Sequence, residues 1–437
     1  MRAPPKPLDS CQMARPNPDH IVVIGAGAAG LMAARELGRA GKRVTILEAR
    51  DRCGGRIHPL STAEFGYPAE GGAEFVHGEA PVTRALLREA GMSLLPIEGT
   101  QRAVGDGKLS GEDPLDIYQV QLQTALSELK ADLTVAEFLR RHFAGPKYAR
   151  LRQSIERMVE GYDAADPERA STLALREEWL GAGRSTQTRI AGGYGGLIAF
   201  LLAECRHHGA QFRFGSVVKA VDVTATGAVV RCADGGAHPC DAVVLTVPLP
   251  LLTEIALPAT ERERIAAAAD IGFGNVIKIL MRFSTRWWLA EQSSPGDLTF
   301  LLSSARIPVW WTQHPADLPV LTGWFGGPKT TAMAGLGEQQ LVDVGLASLA
   351  DIFALDPKRL SRSLVAARAI NWADDRFARG AYSYATTETR AAQSVLSERG
   401  GGALFYSGEA LYRGRDMGTV EAALSSGLTT AQTILRG

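Results

Sequence analysis

The first regular pattern along the chain is Ile21-Val22-Val23-Ile24, four apolar residues in a row, which predicts a strand covered on both faces. A glycine-rich turn follows, Gly25-Ala26-Gly27-Ala28-Ala29-Gly30, then residues 31–37 of helical composition, with Gly41 to close the helix. Val44-Thr45-Ile46-Leu47 predicts a second buried strand ending at Glu48, and Val243-Val244-Leu245-Thr246-Val247 predicts another, closed by Pro248. Between them, residues 122–137 and 147–160 carry helical patterns, and after them 318–325 reads as a strand. Strands alternating with helices predict an α/β chain without internal repeats.

The order strand, glycine turn, helix, strand, acid is what a dinucleotide-binding unit needs. Gly25 makes the tight turn, Gly27 lets the backbone reach a pyrophosphate, and Gly30 lets helix and strand pack closely. The helix N-terminus, from Ala28, presents N–H groups to the phosphates. Glu48 is in position to accept hydrogen bonds from ribose hydroxyls. The turn alone fits FAD and NAD equally.

Composition narrows the partners. The 437 residues are 46% hydrophobic and 22% charged, the balance of a globular protein of two or three domains. Lys+Arg and Asp+Glu both number 47, so no net field draws in nucleic acid or an anionic membrane. The 5 cysteines include no CxxC pair, which argues against a zinc cage or a disulfide framework. Residues 1–17 are proline-rich and predict a flexible arm without the apolar core of a secretory signal. No run approaches the ~18–20 apolar residues of a membrane helix. The expected location is cytoplasmic, with no membrane partner.

The residues after the second strand, Glu48-Ala49-Arg50-Asp51-Arg52-Cys53-Gly54-Gly55-Arg56, resemble the extended FAD signature of the flavin-containing amine oxidase family. That family includes monoamine, polyamine and L-amino-acid oxidases. In this signature Gly54-Gly55 passes close to the pyrophosphate, while Arg50 and Arg56 offer forked donors to its charge. The resemblance recurs in order along the chain. Gly71-Gly72-Ala73-Glu74-Phe75-Val76-His77-Gly78 is similar to the segment beside the flavin ring, nearest its polyamine-oxidase form, and implies contacts from Gly72, Ala73 and Glu74. Gly192–Leu197 looks like the mid-chain glycine turn, and Val218 matches the residue that meets adenine through its backbone. Gly408 and Glu409, in Tyr406-Ser407-Gly408-Glu409, match a late motif near the ribityl chain. Thr419 and Val420 match the start of a closing helix aimed at the flavin C2 carbonyl, where a helix N-terminus favours negative charge.

The resemblance implies a two-domain FAD-dependent amine oxidase fold, a Rossmann-like FAD domain with an inserted α+β substrate domain. Residues 18–78, 192–278 and 395–437 are expected to build the first, and 79–191 with 279–394 the second. Lys278, in an otherwise apolar strand, matches the lysine that holds a water against flavin N5; the alternative is a strand-edge lysine whose head reaches solvent. Trp372 and Tyr382 match aromatic residues of the reaction chamber. Three positions depart from the commoner patterns. Ala381 stands where covalently flavinylated members carry cysteine, so FAD is expected to bind non-covalently. Thr419 occupies the second wall of the aromatic pair, and Phe75 occupies the position of an arginine that binds amino-acid carboxylates. His77 could line the substrate route or simply pack, and His207-His208 reads as a solvated helix end. Trp287-Trp288 and Trp310-Trp311 read as core or pocket wall. The implied function is oxidation of a small-molecule amine with O2 as acceptor. A same-fold desaturase passing electrons to a carrier, or a flavoprotein using FAD structurally beside a protein partner, remain alternatives.

Overall fold

The computed structural model describes residues 18–105, 108–110, 117–180, 187–291, 295–398 and 402–436. The N-terminal arm 1–17, with Cys11, lies outside the described residues.

Five parallel strands are arranged in the order Leu404–Tyr406, Ala242–Leu245, His20–Ile24, Arg43–Leu47, Gln211–Arg213. His20–Ile24 lies in the middle, paired on both sides. Its alternate residues serve two cores, which is why the run is apolar throughout. Ile21 and Val23 pack under the helices Ala28–Arg39, Gly193–His207 and Val420–Arg436. Val22 and Ile24 pack under a three-stranded antiparallel sheet, Val218–Val223, Ala228–Cys232 and Ala237–Cys240. A parallel sheet covered on both faces is the Rossmann-like arrangement, and its strands come from three separated stretches of chain. Close packing here depends on glycine: a Cβ on Gly427 would lie 2.3 Å from the Ala29 carbonyl oxygen, so Val420–Arg436 could not settle on Ala28–Arg39.

The rest of the chain builds a seven-stranded sheet in the order Leu364–Asn371, Val276–Phe283, Val320–Gly326, Val309–Thr312, Leu298–Leu302, Thr100–Gly105, Lys108–Ser110. Its pairs are antiparallel except Leu298–Leu302 with Thr100–Gly105. One face, including Ile277, Ile279 and Met281, packs beneath the helix Glu338–Phe353. The expected segment borders at 278 and 395 fall inside continuous elements, the strand Val276–Phe283 and the helix Thr389–Ser397.

A helical group, Gln119–Ser127, Val135–His142 and Ala149–Gly161, forms its own core around Leu126, Phe138 and Ile155. The single helical pattern expected over 122–137 is broken here. Asp132 accepts from the Leu133 and Leu173 N–H groups and from Ser171, and Thr134 caps the next helix by accepting from the Glu137 N–H at 3.2 Å. Short polar side chains offer the backbone these alternatives to helix, so the pattern of apolar positions alone misses the break.

One buried acid ties two helix starts together. Glu421, 3% exposed in the first turn of Val420–Arg436, accepts from the Val82 and Thr83 N–H groups and from Thr83 Oγ1, at the start of Pro81–Glu89. Glu421→Ala leaves those donors buried without an acceptor, and is expected to cost about 3 kcal/mol of folding stability. The check is a lower denaturation midpoint at an unchanged m-value; an unmoved midpoint would mean that water replaces the carboxylate.

Candidate active site

A cavity of about 3580 Å³ separates the parallel sheet from the seven-stranded one. Its floor is the glycine turn. Gly25 has φ +102°, open to glycine but strained for other residues, and a Cβ on Gly30 would lie 2.0 Å from the Gly25 carbonyl oxygen. Gly25, Gly27 and Ala28 line the cavity, whereas Gly30 sits behind them as a packing residue. A Cβ on Gly27 would meet nothing within 4 Å, because it would project into the cavity itself. The helix Ala28–Arg39 starts at Gly27 with no side chain capping it, so its first N–H groups are available to an anion. This open, uncapped cradle fits the pyrophosphate of FAD.

Glu48, 6% exposed at the end of its strand, borders the same space. Its Oε2 accepts from the Ala26 N–H at 2.7 Å and its Oε1 from the Arg50 N–H at 2.8 Å. The acid thus ties the glycine turn to the following loop while each oxygen keeps a lone pair for a ribose hydroxyl. Ala49, Gly55 and Val218 line the adjoining wall.

The arginines differ from expectation in what their forks hold. Arg50 lines the cavity, but its Nη1 and Nη2 grip Asp375 at 3.0 and 2.7 Å, with Phe377 beneath the guanidinium. Arg56 donates through Nη1 to the Ala381 carbonyl at 2.7 Å and to Glu409 at 2.8 Å. Glu409 also accepts from Ser383, and Gly408 beside it has φ +153° with no atom within 4 Å of a would-be Cβ. Both fork positions therefore brace the loops around the cavity. Thr419 resolves the half-built aromatic pair: its Oγ1 accepts from the Ala422 N–H at 3.2 Å, so it is the cap of the closing helix, with Val420 behind it on the cavity wall.

Lys278 lies in the middle of the seven-stranded sheet's second strand and is 0% exposed, which removes the solvent-reaching alternative. Its Nζ donates to the Gly72 carbonyl at 3.0 Å and to Glu74 Oε2 at 2.8 Å, and lies 5.4 Å from the centre of the Trp311 ring. Glu74 Oε1 accepts from Arg189, Trp311 Nε1 and Gln313 at 3.0, 3.0 and 3.1 Å. Burial works against this carboxylate, yet Lys278 and Arg189 outweigh it and hold Glu74 down at about 2. Glu74 was expected as a flavin contact; it lines the cavity together with Gly72 and Ala73, and all four of its contacts are internal donors.

Register sets the composition of the cavity wall. Lys278 pairs with Trp324, Trp324 with Val309, and Thr322 with Trp311, so these residues share one face of the sheet. Trp311 and Trp324 stand 5.8 Å apart, and Trp324 stacks with Tyr382 at 6.4 Å and 22°. Tyr382 is anchored by its hydroxyl to the Tyr162 carbonyl at 2.6 Å, and Trp372, 4% exposed, closes the corner with Ala381. Phe75 and Phe300 continue the wall around Trp311. Sequence reasoning missed Trp324 and did not single out Trp311, whose neighbour Trp310 is core; only strand register tells the two apart. His77 lines the cavity, its Nδ1 3.0 Å from the Tyr162 hydroxyl, and burial pushes its ring down to about 4, so it is neutral at pH 7. An arginine does approach Phe75: Arg189 lies 4.9 Å over its ring, but the fork holds Glu74 and the Thr312 and His314 carbonyls, away from the cavity wall.

The profile of the family described as flavin containing amine oxidoreductase matches residues 28–435. Polyamine oxidase 4 of Oryza sativa subsp. japonica is 25% identical over 95% of this chain and 88% of its own. Lysine-specific histone demethylase 2 of Homo sapiens is 26% identical over 95% of this chain, which spans 53% of that relative's length. A solved structure of putrescine oxidase bound to putrescine superposes over 96% of this chain and 99% of its own, with TM-score 0.77 at 19% identity, and so shares the fold. With the uncapped phosphate cradle and a family match over nearly its whole length, the chain belongs to the flavin containing amine oxidoreductases and is an FAD-dependent enzyme.

Proposed function

We propose that this protein oxidises the carbon–nitrogen bond of a small-molecule amine lacking an α-carboxylate, with O2 as electron acceptor and hydrogen peroxide as product. The observation that carries the reading is Lys278, an ammonium buried on the cavity face of a sheet and held by Gly72 and Glu74 beside an aromatic wall. In this reading Glu48 holds the adenosine ribose and Val218 borders the adenine. The turn from Gly25 to Ala28 holds the pyrophosphate. Gly72, Ala73, Trp372 and the start of Val420–Arg436 surround the ring system. When bound, FAD supplies the redox chemistry, accepting a hydride equivalent from the carbon that bears the nitrogen.

The chain's own residues orient the substrate and control charge. The facing rings of Tyr382 and Trp324 guide the amine toward the ring system and exclude bulk water. His77 remains neutral and does not repel an ammonium on its way in. Arg189, which lies over the Phe75 ring, is already held by Glu74 and is not turned toward a substrate carboxylate. Lys278 fixes a water near the reacting carbon and favours negative charge beside it. The imine product leaves for hydrolysis by water. Cysteine usage supports a cytoplasmic setting, and no helix among the described residues is long and apolar enough to cross a membrane.

Anaerobic titration against a panel of amines tests the reading: a simple amine should bleach the flavin absorbance, and reoxidation by air should yield peroxide. Bleaching only by alkane or ring substrates, without peroxide, would favour a desaturase. Because Ala381 offers no thiol, acid or heat should release free FAD from the yellow protein; fluorescence retained on the denatured chain would refute non-covalent binding.

Glu48→Ala removes an acceptor for the ribose and the tie between Ala26 and Arg50. Losing a charged hydrogen-bond partner is worth about 1.5–3 kcal/mol, so FAD affinity should fall roughly ten- to a hundred-fold. An unchanged dissociation constant in fluorescence titration would put the ribose elsewhere. Lys278→Met keeps the stem and leaves Glu74 its other three donors, so the protein should still fold and load FAD. Stopped-flow reoxidation by O2 should slow by about tenfold or more, which is ~1.4 kcal/mol in barrier. Wild-type rates in both half-reactions would leave Lys278 a structural ion pair only.

A further inference from the structure

Behind Lys278 the structure holds a second buried carboxyl that the amine chemistry does not use. Glu70 lies on the same loop as Gly72 and Glu74, the loop that supplies both hydrogen-bond acceptors of the ammonium. It is 4% exposed and stands outside the cavity wall. Its Oε1 accepts from the Gly195 N–H at 3.1 Å, in the first turn of the helix Gly193–His207. Its Oε2 is buried and meets no donor among the described residues. Glu74, four residues on, has a donor on each oxygen and four in all. A buried carboxylate oxygen without a donor is costly as an anion and far less so as an O–H.

We infer that Glu70 carries a proton on Oε2 below neutral pH and acts as a positioning residue that preserves one net positive charge in the Lys278–Glu74–Arg189 cluster. Two ionised acids on this loop would cancel the lysine and the arginine. One ionised acid and one neutral acid leave the cation to act on the cavity, a consequence that rests on the reading of that cavity as the FAD site. The titratable groups facing Glu70 are Lys278, Glu74, Tyr67 and Tyr194. Burial is the main influence on Glu70; Lys278 and the Gly195 and Tyr194 N–H groups oppose it and Glu74 adds to it, with the carboxyl pushed up from 4.5 to about 7. Burial also keeps both tyrosines neutral.

The sign follows by linkage. A carboxyl raised on folding costs nothing below its unfolded value, and its cost grows as pH rises to the folded value and is constant above it. Glu70→Gln keeps the acceptor for Gly195 and replaces the O–H by a permanent neutral donor. The melting temperature of the variant minus that of the wild type, both loaded with FAD, should therefore be flat below about pH 4.5, climb between there and about pH 7, and level off above. Infrared spectra of the wild type should show a protonated-carboxyl C=O band that falls to about half its intensity near pH 7, disappears above it and is missing in Glu70→Gln. This arm needs no variant to fold for its wild-type half. In Lys278→Met, loss of the cation should move disappearance of the band to higher pH. A pH-independent melting difference with no such band overturns the protonated acid. A band whose titration is unmoved by Lys278→Met overturns its coupling to the lysine cluster. None of these readouts involves turnover, so failure of every amine to bleach the flavin would reject the proposed substrate class and leave this result intact.

Discussion

A lysine ammonium buried away from bulk solvent must be met by acceptors and a counter-ion, and much of this protein's centre answers that requirement for Lys278. The cost of stripping an ammonium of water runs to several kcal/mol even after relaxation, so a loose arrangement would not hold it. The loop from Glu70 to Glu74 turns its Gly72 carbonyl and its Glu74 carboxylate toward Nζ, which docks the segment after the phosphate cradle onto the seven-stranded sheet. Glu74 then draws in Arg189 and, from one strand end elsewhere in the chain, Trp311 and Gln313. One buried charge thereby brings together the two sheets that bound the cavity and sets the orientation of an indole on its wall.

The opposite side of the cavity is organised by unmet backbone donors. The helix Ala28–Arg39 begins at a glycine with no side-chain cap, while the closing helix Val420–Arg436 begins at a threonine that caps it and an acid, Glu421, that serves a neighbouring helix. The difference suits their positions. A phosphate can complete the first helix, so a capping side chain there would compete with the ligand. The second helix starts on the cavity wall with its own side-chain cap, so it is complete without a phosphate. Close approach of the two helices, permitted by Gly427 against Ala29, keeps both N-termini at one end of the parallel sheet.

Arg50 and Arg56 illustrate how charge near a nucleotide site can work at one remove. Each is bound by a carboxylate, Asp375 or Glu409, drawn from far along the chain. These pairs pin distant loops beside the cradle, and their contribution to the site is shape as well as field. A forked guanidinium suits this work because it can hold a carboxylate with two donors and still lie flat on a ring, as Arg50 does over Phe377.

The parallel sheet was legible in the sequence because its signals are local: an unbroken apolar run at Ile21–Ile24 for a strand buried on two faces, and glycines where a Cβ would strike the turn, as at Gly30. The family resemblance, carried by short contiguous motifs, was local in the same sense, and it marked Lys278 before any neighbour of that residue was known. What the chain could not announce were relations between residues far apart. That Glu74 faces Lys278, that Trp311 meets the cavity while Trp310 enters the core, and that Arg189 is held away from the cavity wall all follow from strand register and loop docking. A register shift of one residue would reverse every face. Sequence by itself determined the nucleotide cradle, since the backbone geometry of a glycine turn is encoded where it occurs. Only the tertiary structure decided the charge and shape of the cavity, since both depend on which side chains meet across strands and loops distant in the chain.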